Sequence, residues 1–403
     1  MTDRAHFASF HPFARLTRLL EGVAPGDPEI DVAGHPAGAP VYLCKGEPQD
    51  QPPSWVADEL AKAAAGWSRY PPPRGVPDYL DACAAWLARR YDLPEGMIDP
   101  KRMVLPVSGS REGLFLAAHA AATVSSKSRP LVLTANPYYH VYPAAALAAG
   151  AEPVFVAATA ETGFLPDYGA LPDEVLDRTM LAYYCSPSNP QGAAADLDQL
   201  QDLITLARRH DFTIAFDECY AETYTGAPPA GALQAAAALG GSLDNMLVFH
   251  SLSKRSSAAG LRCGFAVGAP TAIDALESLL RVGGAGVPVP IMAAGASLWR
   301  EDSHAAERRA RYQANYAIAE RVIGNRFGYR KPAGGFFLWL DVGDGEAAAT
   351  TLWRQAGIRV VPGAYMCTDG AEGANPGAPY IRVALVYDQP LTEAALRRVA
   401  DVL

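Results

Sequence analysis

Three residue types able to do chemistry together fall in the stretch Ser251–Gly264, SLSKRSSAAGLRCG. Lys254 is one of six lysines and the only one between Lys127 and Lys331. It stands among the hydroxyls of Ser251, Ser253, Ser256 and Ser257, and Arg262 follows eight residues later beside small residues that let backbone approach a ligand. One reading is a solvated surface cation. The other is an amine whose pKa is lowered by its site, which makes it a nucleophile able to form a Schiff base with an aldehyde. The Ser/Gly-rich composition reads as a loop.

Further residues of this kind lie at the ends of apolar runs. Asp217 closes the run Phe212–Phe216, with Glu218 next to it and Tyr220 three residues on. A carboxylate at the C-terminal edge of a buried strand is a favoured ligand position in open α/β sheets. Metal binding by Asp217 and Glu218 is the rival, and neither a third ligand nor a zinc spacing is evident among the six cysteines and eight histidines. Met103–Val107 reads as a strand, and Ser108-Gly109-Ser110-Arg111-Glu112-Gly113 then opens a helix. That turn offers free amides and a positive helix end to an anion, or is an ordinary strand–helix connection. Arg382 interrupts the apolar segment Tyr380–Leu385, so its charge needs solvent or a partner. Ser251-x-x-Lys254 also fits the nucleophile pair of serine β-lactamases, but the Ser-Asp-Asn and Lys-Thr-Gly triplets of that chemistry are absent.

The elements that must position these residues alternate between helical and strand patterns. Helices are expected over residues 11–20, 54–65, 78–91, 273–280 and 291–323, from apolar residues at helical spacing. Strands are expected at 41–43, 103–107, 131–133, 180–185, 212–216, 246–249, 264–268, 336–340, 358–361 and 380–385. The chain has 403 residues, half of them hydrophobic, enough for one large and one smaller domain. Its net charge of -9 argues against a general binder of nucleic acid or anionic membrane. No basic start followed by an apolar stretch marks a signal peptide, and no apolar run approaches a membrane span. The cysteines are scattered, as for free thiols in a reducing compartment. A soluble, cytoplasmic protein is expected.

Ser-x-Ser-Lys followed by Gly260-Leu261-Arg262-Cys263-Gly264 resembles the lysine signature of class I/II aminotransferases, the fold-type I enzymes dependent on pyridoxal 5'-phosphate (PLP). The resemblance runs from about residue 11 to the end. It implies an α/β fold, with a mostly parallel large-domain sheet flanked by helices and a smaller α/β domain built from both chain ends. Residues 1–45 would join the small domain, 46–300 would form the PLP-binding domain, and 301–403 the small C-terminal domain. It also implies roles. Lys254 would hold PLP and move the proton. Asp217 would pair with the pyridine nitrogen, and Tyr220 and Asn189, in Asn189-Pro190-Gln191-Gly192, would reach the phenolic oxygen. Gly109, Ser110 and Arg111 would form the phosphate turn, with Ser251 and Arg262 completing the cup. Tyr139, in Pro137-Tyr138-Tyr139-His140-Val141-Tyr142, would stack on the cofactor ring. Gly46, in Gly46-Glu47-Pro48, and Arg382 would meet the substrate carboxylate. Tyr70 would reach the phosphate of the other subunit, making a homodimer with shared sites. The implied reaction is ping-pong transfer of an amino group between an amino acid and a 2-oxo acid. His11-Pro12-Phe13, LPVSGSRE (105–112), Asn136-Pro137-Tyr138-Tyr139 and FHSLSKRS (249–256) are most similar to succinyldiaminopimelate aminotransferases of lysine biosynthesis. Another amino-acid aminotransferase or a β-lyase uses the same scaffold. A PLP-binding regulator is the reading from a different class, and no appended DNA-binding domain is expected.

Overall fold

The computed structural model describes residues 10–370 and 373–403. The first nine residues, part of the segment read for a signal peptide and of the expected 1–45 unit, lie outside it. Strands β1 (Val104–Val107), β2 (Leu131–Asn136), β3 (Glu152–Ala157), β4 (Thr179–Cys185), β5 (Thr213–Asp217), β6 (Met246–Ser251) and β7 (Gly264–Gly268) form one sheet in the order β1-β7-β6-β5-β4-β2-β3. All neighbours pair in parallel except β7, which runs antiparallel to both β1 and β6. The inner strands read as continuous apolar runs because helices cover both faces. Ala182, Ile214, Phe216, Val248 and Phe265 face one core, and Leu181, Tyr183, Ala215, Leu247 and Phe249 face the other.

This order gathers the chemistry at one edge. Strands β1, β2, β4, β5 and β6 all end on the same side, so the turns after Val107, Asn136, Cys185, Asp217 and Ser251 converge there. Cys185 and Asp217 stand side by side in register.

A second, antiparallel sheet has the order β8-β10-β9, with β8 Phe337–Asp341, β9 Val361–Pro362 and β10 Tyr380–Ala384. Its core joins Val41 and Leu43 to Ile318, Leu338, Leu352, Val383 and Leu396.

Several elements differ from the sequence expectation. Residues 41–43 form no strand, only a single bridge from Val41 to Ile358. Ile358 therefore does not extend β9, which is two residues long. The helix expected to Ala65 ends at Lys62 and passes into a 3-10 turn. The helix expected over 291–323 is two, Val289–Arg300 and Ser303–Ile323. Glu301 causes the break: it is extended, and its carboxylate accepts the Ser303 and His304 amides at 2.6 and 3.2 Å, starting a new helix as a capping side chain does. The lysine stretch is not all loop. Leu252–Arg255 forms one helical turn capped by Ser251, and Ala259–Leu261 a 3-10 turn.

Candidate active site

A cavity of about 520 Å³ opens at the convergent strand ends. Its wall includes Gly46, Ser110, Arg111, Tyr139, Asn189, Asp217, Tyr220, Lys254, Arg262 and Arg382. Residues from both sheets and from the N-terminal segment therefore share one site.

Lys254 rides on the capped turn after β6, which fixes its backbone. Its amine donates to the Gly46 carbonyl and lies 5.2 Å from the centre of the Phe336 ring. Burial is the main cause that lowers its pKa to about 8, helped by the positive charges of Arg382 and Arg111 and opposed by Cys219 and Glu47. With that pKa about a tenth of the amine is unprotonated at pH 7, far more than of an ordinary lysine. Gly46 thus turns its carbonyl to the amine. A Cβ there would meet Phe337 at 3.3 Å.

Asp217 is 4% exposed. Its Oδ2 accepts the Tyr142 hydroxyl at 2.8 Å and its Oδ1 the Cys219 amide at 3.2 Å. Burial raises its pKa, and these two hydrogen bonds act against the rise. Tyr142 is held flat on Tyr183, with centroids 4.4 Å apart, and edge-on to Tyr139 at 5.5 Å. Arg111 Nε donates to the Tyr139 hydroxyl at 2.8 Å, which fixes that ring at the cavity wall. Tyr220 is buried edge-on against Phe336.

The anion end is built on Gly109, with φ +86. A side chain there would be strained, and its Cβ would stand 2.4 Å from Arg262 Nη2. The helix Ser110–Val124 starts at this point, so its first amides face the cavity edge. Arg262 donates through Nη2 to the Ser108 carbonyl at 2.8 Å and to Glu112 at 2.6 Å. Ser251 does not line the cavity. Its hydroxyl accepts the Ser253 amide and donates to the Ser253 hydroxyl at 2.9 Å, and it is Ser253 that lines the wall.

Arg382 is 4% exposed and has no carboxylate partner among the described residues. It donates to the Cys44 carbonyl at 2.9 Å and to Asn189 Oδ1 at 3.2 Å, lies 4.3 Å from the centre of the Phe337 ring, and leaves Nε without a partner. Burial lowers its pKa to about 10. A buried cation in this state gains from an incoming carboxylate, which fits a guanidinium fork at two points.

Tyr70 is 89% exposed and does not line this cavity of its own chain. No cluster of three or more potential metal-ligating residues exists among the described residues. Tyr142 is the main site residue that the sequence reading left without a role. It stands three residues after Tyr139, a spacing that puts both on one side of a helical turn. Ser253 and the aromatic rim from the N-terminal segment, Phe10 and Phe13, were also left without roles.

The residues present fit PLP: a buried amine for an aldehyde, a buried carboxylate for the ring nitrogen, an aromatic wall, and a helix start with an arginine for the phosphate. Fold and site thus define a PLP-dependent α/β enzyme. The chain matches the family described as aminotransferase class I and II over residues 40–399, and it belongs to that family. It is 32% identical to the 4-dedimethylamino-4-oxo-anhydrotetracycline transaminase OxyQ of Streptomyces rimosus, covering 91% of this chain and 94% of that protein. It is also 32% identical to the LL-diaminopimelate aminotransferase of Moorella thermoacetica, covering 90% of each. The crystal structure of an aminotransferase from Neisseria meningitidis Z2491 superposes with TM-score 0.88 at 35% identity, over 97% of this chain and 96% of that one. The chain is an aminotransferase with the fold of the fold-type I enzymes. No described helix is long and apolar enough to cross a membrane.

Proposed function

We propose that this aminotransferase moves the amino group from N-succinyl-diaminopimelate to 2-oxoglutarate, giving glutamate, or in the reverse direction, by a ping-pong course. The reading of a substrate α-carboxylate beside a reacting amine rests on one observation: buried Arg382 has no carboxylate partner among the described residues and shares a cavity with the Lys254 amine, whose pKa burial lowers. The succinylated substrate rests on the sequence segments that carry the subgroup resemblance. Free LL-diaminopimelate is the second reading, favoured by the Moorella relative.

PLP, when bound, supplies the electron sink that makes loss of the substrate α-proton feasible. The chain does the rest. Arg382, with Asn189, orients the substrate carboxylate. Lys254, freed when the substrate amine takes its place, would take the α-proton and return it to the carbon on the other side of the substrate nitrogen. Asp217, oriented by Tyr142, would hold the ring-nitrogen proton. Tyr220 and the Asn189 amide would hold the phenolic oxygen. Tyr139 would pack on the ring, and Gly109, Ser110, Arg111 and Arg262 would hold the phosphate. Ser251 acts through Ser253 by capping the lysine turn. Residues 46–300 would form the cofactor-holding unit, with 1–45 and 301–403 as the smaller one.

The test is a panel of amino donors with 2-oxoglutarate, read as glutamate formed. The succinylated donor should exceed free diaminopimelate in kcat/KM. The reverse order would move the assignment to the second reading. Release of ammonia and a 2-oxo acid without any acceptor would identify a β-lyase.

The exposed Tyr70 carries the quaternary reading: a homodimer in which its hydroxyl reaches the partner's phosphate. Mixing inactive Lys254→Ala with Tyr70→Phe should form hybrids in which one site bears both defects and the other neither. Activity should rise above that of either parent. No recovery despite demonstrated subunit exchange would remove the shared-site role from Tyr70.

A further inference from the structure

Arg255, the residue after Lys254, is 3% exposed and does not reach the cavity. Its guanidinium lies 5.2 and 5.7 Å from the centres of the Trp299 and Trp86 rings. Nη1 donates to the Leu298 carbonyl at 2.7 Å. Nη2 donates to the Glu301 carbonyl at 3.0 Å and pairs with the Asp302 carboxylate. A second strut runs beside it. His304 Nε2 lies 2.8 Å from the Ser256 hydroxyl and 3.2 Å from Arg255 Nη1, and its Nδ1 meets the Glu301 carboxylate. The polar contacts of Arg255 beyond its own turn therefore end on the last turn of one helix, on the two residues after it and on the first turn of the next helix.

That place is the junction of the two cores. Met292, Leu298 and Trp299 of the preceding helix belong to the large-sheet core. Tyr316, Ile318 and Ile323 of the following helix belong to the core that also holds Ile381 and Val383, the neighbours of Arg382 on β10. Only Glu301 and Asp302 separate the two helices. Packing does not require a charge here. A buried ion pair is weak support for stability compared with an apolar side chain of the same size. A guanidinium fork adds direction, because three acceptors on the junction fix the turn that carries Lys254.

We propose that Arg255 is a positioning residue: it fastens the turn bearing Lys254 to the Glu301–Asp302 junction, so that the Lys254 amine and Arg382 are set relative to each other. This rests on the reading of Lys254 as the cofactor-holding base. The junction has one member that touches the lysine turn only through Arg255. Asp302 is half-exposed, and its other side-chain partner is Arg89, at 3.3 Å.

The test compares Arg255→Lys, Arg255→Met and Asp302→Asn as holoenzymes. Asp302→Asn and Arg255→Lys should keep PLP content and melting temperature. Each should lose kcat by about tenfold to a hundredfold, as a misplaced reacting group does, with KM little changed. The pH midpoint of the visible band of the lysine-bound cofactor should shift in both. The double variant should be no worse than Arg255→Lys alone, because both changes cut one link. Lowered melting with unchanged kcat and midpoint would make Arg255 a mere staple, as would additive losses in the double variant. If Arg255→Met does not fold, the two milder variants decide. Borohydride mapping separates the two ideas. An adduct on another lysine overturns the Lys254 reading, whereas an adduct on Lys254 with unaltered kcat and midpoint overturns the role of Arg255.

Discussion

Lys254→Ala should abolish transamination, with a loss of roughly 10⁴-fold or more, the upper end for a general acid–base group and increased here by the loss of covalent attachment. PLP should remain bound without a covalent link, because the anion end at Gly109, Ser110 and Arg262, the Asp217–Tyr142 pair and the Tyr139 wall do not depend on the amine. In the unaltered chain, borohydride should fix PLP on Lys254, located by mass spectrometry. The lowered pKa gives a second readout. Only the neutral amine attacks an aldehyde, and burial brings its pKa to about 8. Covalent capture of PLP by cofactor-free protein should therefore climb about tenfold per pH unit below that value and level off above it. A climb continuing towards the ordinary lysine range of about 10.4 would mean that Lys254 is not held as described.

Much of this site was legible in the sequence, for a physical reason. The strands are buried on both faces, so each reads as an apolar run, and the residue just past it falls at the sheet edge. Asp217 at the end of β5 and Ser110 after β1 were placed in this way, and Lys254 and Asn189 lie in short turns of recognisable composition. Illegible were the bonds made between distant turns. The Tyr142 hydroxyl meets Asp217 across 75 residues of chain, and Arg382 meets Asn189 across 193. Nothing local to Tyr142 distinguishes it from a core tyrosine, since its ring is in fact packed on Tyr183. That Ser253 rather than Ser251 lines the cavity was hidden for a different reason. A one-turn helix is too short to leave a periodic pattern, so the sequence could not tell which serine would be used up as the cap. The same limit hid the junction at Glu301–Asp302. Apolar residues continue through Trp299 and Ala305 on either side, and only the hydrogen bonds of Glu301 reveal a break.

Asp217→Asn should separate chemistry from binding. The carboxylate is buried, so burial alone pushes it towards the neutral form. A protonated ring nitrogen beside it supplies the missing opposite charge and reverses that tendency, and in turn the carboxylate keeps the proton on the ring. Asparagine fills the same space and can still take part in the hydrogen bonds of Tyr142 and the Cys219 amide, but it carries no charge. PLP content should stay close to that of the unaltered protein, because the phosphate and Lys254 still hold it. The rate should fall by roughly 10²–10³-fold or more, the cost of removing one preorganised group where charge develops during reaction. Tyr142→Phe should move in the same direction by less. It leaves the charge and removes one hydrogen bond to it, worth about 1.5–3 kcal/mol. The two changes made together should cost little more than Asp217→Asn alone, since Tyr142 acts through Asp217. Single-turnover rates with one amino donor, measured alongside PLP content, decide the matter. Near-normal turnover in Asp217→Asn would remove the ring-nitrogen role from Asp217, and a large further loss in the double variant would show that Tyr142 has a function of its own.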